Sequence, residues 1–327
     1  MKIGDLDFRT IDLKKHADAC VNFRKDACIV SFGSAELFYG PDGKSAERDL
    51  TQKSGVEPSG SSFNEGEIII KLAKPMRKDE LIRSIPALKN AEILKQSRYT
   101  IALLLKVPKS QPLNLIISEL QKNPLIEYAE PNYRYYIQSF PFLASGILPL
   151  TSYLFSLAPS DPFYEDQWAI RKCLFNAVWD SITGDSNLVL AILDSGVDTL
   201  HPDLKNRIIL GYDFVNEDSF AVDDNGHGTQ IAGIIGAEAN NGVAIAGTDW
   251  QTKLLITKVI DAQGMATAFD IAKAIDYAVN HHARIINMSF GGYESSNLVN
   301  DAVQSAYNSN CVLEKKWGQI STFYIKY

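Results

Sequence analysis

Apolar residues along the first half of the chain recur in short runs of changing period. Glu67-Ile-Ile-Ile-Lys-Leu72 is a run of strand length closed by Pro75. Arg77 to Ile85 places Leu81, Ile82 and Ile85 at helical spacing, Ile93 and Leu94 open a second strand, and Thr100 to Val107 forms a third. Leu113, Ile116, Ile117 and Leu120 mark one face of a second helix. A last run, Leu125 to Ala129, is expected to stop at Glu130-Pro131, because proline cannot donate to a ladder. The order β-α-β-β-α-β predicts a small α+β domain of the split βαβ, ferredoxin-like kind, with two helices on one face of a sheet.

Further on, the apolar runs Leu188–Leu193, Leu254–Ile260 and Arg284–Met288 are continuous rather than alternating. Such runs suit strands buried on both faces of a parallel sheet. Ile271, Ile275, Ala278 and Val279 repeat at about 3.6 residues and predict a helix over Ala268–Val279. The second domain is therefore read as α/β, a parallel sheet with flanking helices.

Composition marks the joins between these parts. Residues 1–50 are mixed and short, with a Gly-Pro-Asp-Gly turn at Gly40–Gly43, and their role is left unassigned. Residues 51–66 are polar and read as a linker, 67–136 as the small domain, and 137–160 as an uncharged linker. Residues 161–312 read as the α/β domain and 313–327 as an aberrant tail. Pro141, Pro149 and Pro159 argue against a membrane span in the uncharged stretch. The net charge of −7, with no dense basic run, argues against nucleic acid as a partner. Cys20, Cys28, Cys173 and Cys311 lack metal-ligand spacing and read as thiols. The first twenty residues carry six charges between Lys2 and Lys14, which is not the pattern of a secretory signal.

Three segments sit where a parallel sheet presents its chemistry, at the carboxyl ends of strands. Ala191-Ile-Leu-Asp194-Ser-Gly ends a strand on an acid, an arrangement shared with phosphate-transfer folds and with plain capping residues. Asp224-Asn-Gly-His227-Gly-Thr sets a histidine between glycines at the start of a helix, 33 residues after that acid. An imidazole can take and return a proton near neutral pH, and a carboxylate can fix its tautomer. Ile285-Ile-Asn-Met-Ser289-Phe-Gly-Gly292 leaves an open backbone edge to which an extended peptide can add as a strand.

Taken in order, Asp-Ser-Gly, His-Gly-Thr-x-x-Ala-Gly and Asn-Met-Ser-Phe-Gly-Gly resemble the subtilase (subtilisin-like, peptidase S8) family of serine proteases. The resemblance runs from about Asp161 to Val312. It takes in Asp161-Pro-Phe-Tyr, Trp179-Asp-x-x-Thr-Gly184, His201-Pro-Asp-Leu204 and Gly242-Val-Ala-Ile-Ala-Gly247. The small domain is similar to the family's propeptide, chiefly through Asn123-Pro-Leu-Ile-Glu-Tyr-Ala-Glu-Pro-Asn132. The resemblance implies a serine endopeptidase acting on peptide or protein substrates, with the chain's own propeptide as a further partner. It makes Asp194 the group that orients the imidazole and His227 the general base. Ser289, Phe290 and Gly291 would pair with the substrate on one side, and Gly264, Met265 and Ala266 on the other. No cofactor is implied for the chemistry. Asp203 matches a position that binds calcium in relatives, though the loop Ala239-Asn-Asn-Gly242 looks one residue short for that site. Members of the family with a propeptide are usually exported.

Two pieces of the pattern do not occur in residues 1–327: the Ala-Gly-Asn segment expected past Val312, and the Gly-Thr-Ser-Met-Ala segment that would carry the nucleophile. Glu314, Lys315 and Lys316 stand where the pattern calls for a buried strand, and unpaired charges there are costly, so the tail is expected to stay out of the sheet. The expectation is a chain of the endopeptidase lineage that is inactive as written. Two other classes stay open at this point: a non-enzymatic inhibitor or folding module built on the small domain, and a phosphate-handling α/β protein using Asp194.

Overall fold

The structure is a computed structural model. It describes residues 61–97, 100–108, 112–137, 158–317 and 320–324, together with backbone strands at 2–3, 6–7, 19–24, 27–32, 35–39 and 45–49. The last four of these early strands pair as one antiparallel sheet. The expected linkers lie outside the described residues over 51–60 and 138–157.

The small domain contains β1 (Phe63–Leu72), α1 (Lys78–Ser84), β2 (Glu92–Gln96), β3 (Ala102–Lys106), α2 (Leu113–Leu120) and β4 (Ile126–Ile137). Its sheet runs β4-β1-β3-β2, antiparallel throughout. Ile68, Ile70 and Leu72 point to one face and pack with Leu81, Ile85, Ile116 and Leu120 of the helices. Ile69, Ala102 and Leu104 point to the other and join the core of the large domain. A strand with both faces covered needs no polar alternation, which accounts for three consecutive isoleucines.

Pro131 does not end the last strand. β4 continues to Ile137, with a register shift between Pro131 and Tyr133. Up to Tyr133 this strand is the edge of the small-domain sheet, and edges and irregularities are where a missing N–H is tolerated.

In the large domain follow β5 (Val189–Asp194), β6 (Ile208–Asp213), α3 (His227–Gly236), β7 (Lys253–Lys258), β8 (Met265–Thr267) and α4 (Ala268–Asn280). After them come β9 (Ile285–Met288), β10 (Phe290–Gly291), α5 (Asn297–Asn308), β11 (Val312–Trp317) and β12 (Ile320–Tyr324). The sheet order is β6-β7-β5-β9-β11-β12, parallel except for the last pair. Central β5 is therefore flanked by β7 and β9, and its carboxyl end opens at a crossover, where α/β sheets place their sites. The half-exposed edge strand β6, whose apolar run Ile208-Ile209-Leu210 is short and followed by glycine, was not anticipated.

The tail also departs from expectation. Val312–Trp317 enters the sheet beside β9, in register from Ile285 with Val312 to Met288 with Lys315. The ladder is formed through backbone groups, which pair whatever the side chains carry. Among the described residues no helix is long and apolar enough to cross a membrane.

Candidate active site

Asp194 closes β5, fully buried, and His227 opens α3. The imidazole Nδ1 lies 2.8 Å from Asp194 Oδ1, which also accepts from Ser195 N at 2.8 Å. Asp194 Oδ2 is buried with no hydrogen-bond partner among the described residues. An unsatisfied buried carboxylate oxygen is costly, and such groups collect at functional sites. The hydrogen bond to Asp194 raises the His227 pKa above the ordinary histidine value. Burial pulls the other way, and the charges of Asp194 and Asp223 add to the rise.

Local chemistry explains why the helix starts at His227. Gly226 precedes it at φ 97°, a left-handed conformation that suits glycine. Asp223 gathers the loop: Oδ1 accepts from Asn225 N and Gly226 N, and Oδ2 from Thr229 N. Although burial opposes it, these bonds and those from the Thr229 and Ser195 hydroxyls hold the Asp223 carboxyl below its usual value. Sequence reasoning passed over Asp223, whose signal was an acid shortly before a helix start. Gly228 is required by close approach, since a Cβ there would lie 2.2 Å from Gly196 O. That contact brings α3 down onto the turn that follows Asp194. Ser195 does not face the imidazole: its Oγ donates to Asp223 and accepts from Gly228 N.

A second unanticipated residue is Lys258, at the end of β7 and paired in register with Asp194. Its buried Nζ bonds to Ser195 O at 3.0 Å and to Asp224, tying the His227 loop to the strand ends.

Beside this pair lies a cleft with two open strand edges, and a piece of the chain fills it. Arg134, Tyr135 and Tyr136 pair antiparallel with Thr267, Ala266 and Met265. Tyr136 and Ile137 pair antiparallel with Gly291 and Phe290 on the other side. Ile137 N donates to Gly264 O at 3.0 Å, and a Cβ on Gly264 would collide with the Ile137 side chain. Gly264, Met265, Ala266, Phe290 and Gly291 thus converge on one extended segment. Ser289 Oγ accepts from Asn287 Nδ2, and the residue that would lie opposite Ser289 in this register is outside the described residues. Tyr135 is buried edge-on against Phe290, with ring centroids 6.4 Å apart.

Asp203 is buried away from this cleft. Its Oδ1 accepts from Asn241 Nδ2 at 2.7 Å and its Oδ2 from Ile245 N at 3.3 Å. Nearby Asp161 accepts from Asn240 N and Asn241 N. Calcium needs six to eight oxygen ligands, and the groups bonded to these two carboxylates in the structure are nitrogen donors. Among the described residues no group of three or more His, Cys, Asp or Glu is placed to hold a metal ion.

Residues 185–318 match the Subtilase family and residues 51–132 match the Fervidolysin N-terminal prodomain. The chain is 31% identical over 275 residues to the thermophilic serine proteinase of Bacillus sp. (strain AK1), covering 83% of this chain and 63% of that one. It is 37% identical over 156 residues to thermitase of Thermoactinomyces vulgaris, covering 47% of this chain and 56% of the relative. The chain thus spans less than two thirds of the length of these relatives. Its fold is similar to that of fervidolysin from Fervidobacterium pennivorans, described as a keratinolytic enzyme related to subtilisin. The TM-score is 0.65 at 23% identity, over 79% of this chain and 40% of that one.

Proposed function

The chain belongs to the subtilase family, and on that premise we propose that residues 161–312 carry the acid and base of a serine endopeptidase, with residues 67–136 as its fused inhibitory and folding domain. In this reading Asp194 holds the ring through Nδ1, which leaves Nε2 to take the proton of a serine hydroxyl as its oxygen adds to a peptide carbonyl. The same proton passes to the amine nitrogen as the C–N bond breaks, and water then repeats the two steps on the acyl ester. The peptide lies extended between β8 and β10, and no cofactor enters these steps.

One observation carries the reading: residues 134–137 lie as a strand between two peptide-pairing edges, beside a carboxylate–imidazole pair at 2.8 Å. A segment held there by backbone pairing blocks the cleft as an inhibitor would.

Among the described residues no hydroxyl is hydrogen-bonded to His227, and neither Ala-Gly-Asn nor Gly-Thr-Ser occurs in residues 1–327. Those residues by themselves are therefore proposed to cleave no peptide bond, the base having no nucleophile to serve. The test is to purify residues 1–327 and assay them with a general fluorogenic peptide. No turnover above that of His227→Ala is expected, and turnover that disappears in His227→Ala would overturn the inactivity. Separately, residues 67–136 added to thermitase should slow its peptide cleavage. No slowing at high micromolar concentration counts against the inhibitory role.

A further inference from the structure

Lys95 stands on β2, the outer strand of the small-domain sheet, and reaches across the domain junction. Its Nζ is 2.8 Å from Asp270 Oδ1, 3.1 Å from Phe214 O and 3.6 Å from Glu217 Oε1. We propose that Asp270, Glu217 and the Phe214 carbonyl form a lysine-accepting subsite of the large domain, filled in this structure by Lys95 and open to a lysine side chain of a protein substrate once the small domain is displaced. This rests on the reading of the small domain as a displaceable inhibitor.

The construction of the notch argues for it. Asp270 is nine-tenths buried, and its second oxygen accepts from Thr267 Oγ1 at 2.9 Å, so the carboxylate is fixed with Oδ1 presented to a cation. Two hydrogen-bond acceptors, Asp270 Oδ1 on α4 and Phe214 O in the turn after β6, converge on one nitrogen, with the Glu217 carboxylate of that turn at ion-pair distance. Acceptors on separate segments suit the spread donors of an ammonium, whereas a guanidinium presents a flat fork suited to two parallel acceptors. With the small domain in place, a buried carboxylate left without its cation is strongly disfavoured, so the notch emptied by Lys95→Ala attracts a replacement. Its position suits a substrate: Asp270 lies three residues past Thr267, which pairs with Arg134 where the occupying strand enters the cleft. A lysine upstream of the segment in the cleft is thus the group placed to reach it. Lys273 is the competing resident cation, 3.6 Å from Glu217 and lying over the Phe214 ring.

The test uses residues 1–327 and reads cation binding instead of hydrolysis, so the subsite and the protease reading fail separately. Lys95→Ala removes the three terminal methylenes and the ammonium, and n-propylammonium chloride replaces them. Lys95→Ala should lower the Tm, and n-propylammonium should restore at least half of the loss. Tetramethylammonium at equal ionic strength should not. The wild type and Lys95→Ala/Asp270→Asn should show no such gain. Lys95→Ala/Lys273→Gln is run alongside to remove the competitor. No recovery in either Lys95→Ala or Lys95→Ala/Lys273→Gln overturns the subsite, as does an equal gain in the Asp270→Asn background.

Discussion

The carboxylate of Glu130, in the small domain, lies 2.7 Å from the hydroxyl of Ser296, the N-cap of α5 in the large one. The same carboxylate accepts from Asn297 N at 2.9 Å and Leu298 N at 3.1 Å. Two residues along β4, Asn132 Oδ1 accepts from Phe269 N at 3.3 Å, in the first turn of α4. A helix start leaves N–H groups without partners and carries partial positive charge. Here two helix starts of the large domain are completed by side chains from another domain, more than 130 residues away in sequence.

Glu130→Ala should therefore destabilise the chain by about 2–3 kcal/mol, the cost of removing a charged acceptor from several buried donors. Glu130→Gln keeps an acceptor and should lose less. Urea unfolding midpoints of the three proteins measure this. Equal midpoints for Glu130→Ala and the wild type would mean that solvent completes α5 equally well.

The Asp194–His227 bond makes a prediction about protonation. The His227 pKa is raised, so the ion pair stabilises the fold fully below the unfolded histidine value of 6.5 and this contribution is lost as pH rises through the raised value. Asp194→Asn should drop the His227 pKa below that of the wild type, because burial then acts with less opposition. It should cost more stability at pH 5.5 than at pH 9. Imidazole NMR titration and unfolding at the two pH values are the measurements. An unchanged pKa in Asp194→Asn contradicts the geometry.

Both domains were legible from local apolar periods, and the Asp194–His227 pair from three motifs whose order resembles the subtilase pattern. What sequence missed depends on pairing between distant segments. Pro131 reads as a stop until β4 is seen as an edge with a register shift, and the charges Glu314 to Lys316 read as exclusion until β11 is seen to pair through its backbone beside β9. The caps at Glu130 and Asn132 and the tie at Lys258 join residues with no periodic relation, so no pattern reveals them. Asp203 was read by resemblance, and the nitrogen donors around it appear only in three dimensions.

Gly292 offers a selective way to loosen the segment in the cleft. A Cβ there would sit 2.9 Å from Tyr135 Cδ1 and 3.1 Å from Arg134 O, so the closest contacts are with the occupying strand. Overpacking of this kind costs about 1–3 kcal/mol. In Gly292→Ala the amides of Tyr135 to Ile137 should exchange with solvent roughly tenfold faster or more, while those of β5 keep their rates. Unchanged exchange at both places would show that the strand shifts to accept the methyl group.

Asp276 is the outlying titratable group of α4. Its side chain is buried, Oδ2 has no hydrogen-bond partner among the described residues, and burial alone pushes its carboxyl up to about 7. The folded chain therefore holds this proton more tightly than the unfolded chain does. The contribution to stability is fully present below the unfolded aspartate value of 3.8 and is lost as pH rises through about 7. Asparagine is nearly the shape of the protonated acid and cannot ionise. Asp276→Asn should thus match the wild type only below about pH 3.8, where both states hold the proton, pull ahead as pH rises from there to about 7, and exceed it at pH 8.5 by at most about 4 kcal/mol on the linkage between pKa shift and free energy. Denaturation of both proteins from about pH 3.5 to pH 8.5 should show a gap that opens above the unfolded value of 3.8 and is complete once pH has passed about 7. Parallel curves from pH 5 to pH 8.5 would mean that the ionised carboxylate finds a partner or water as α4 relaxes.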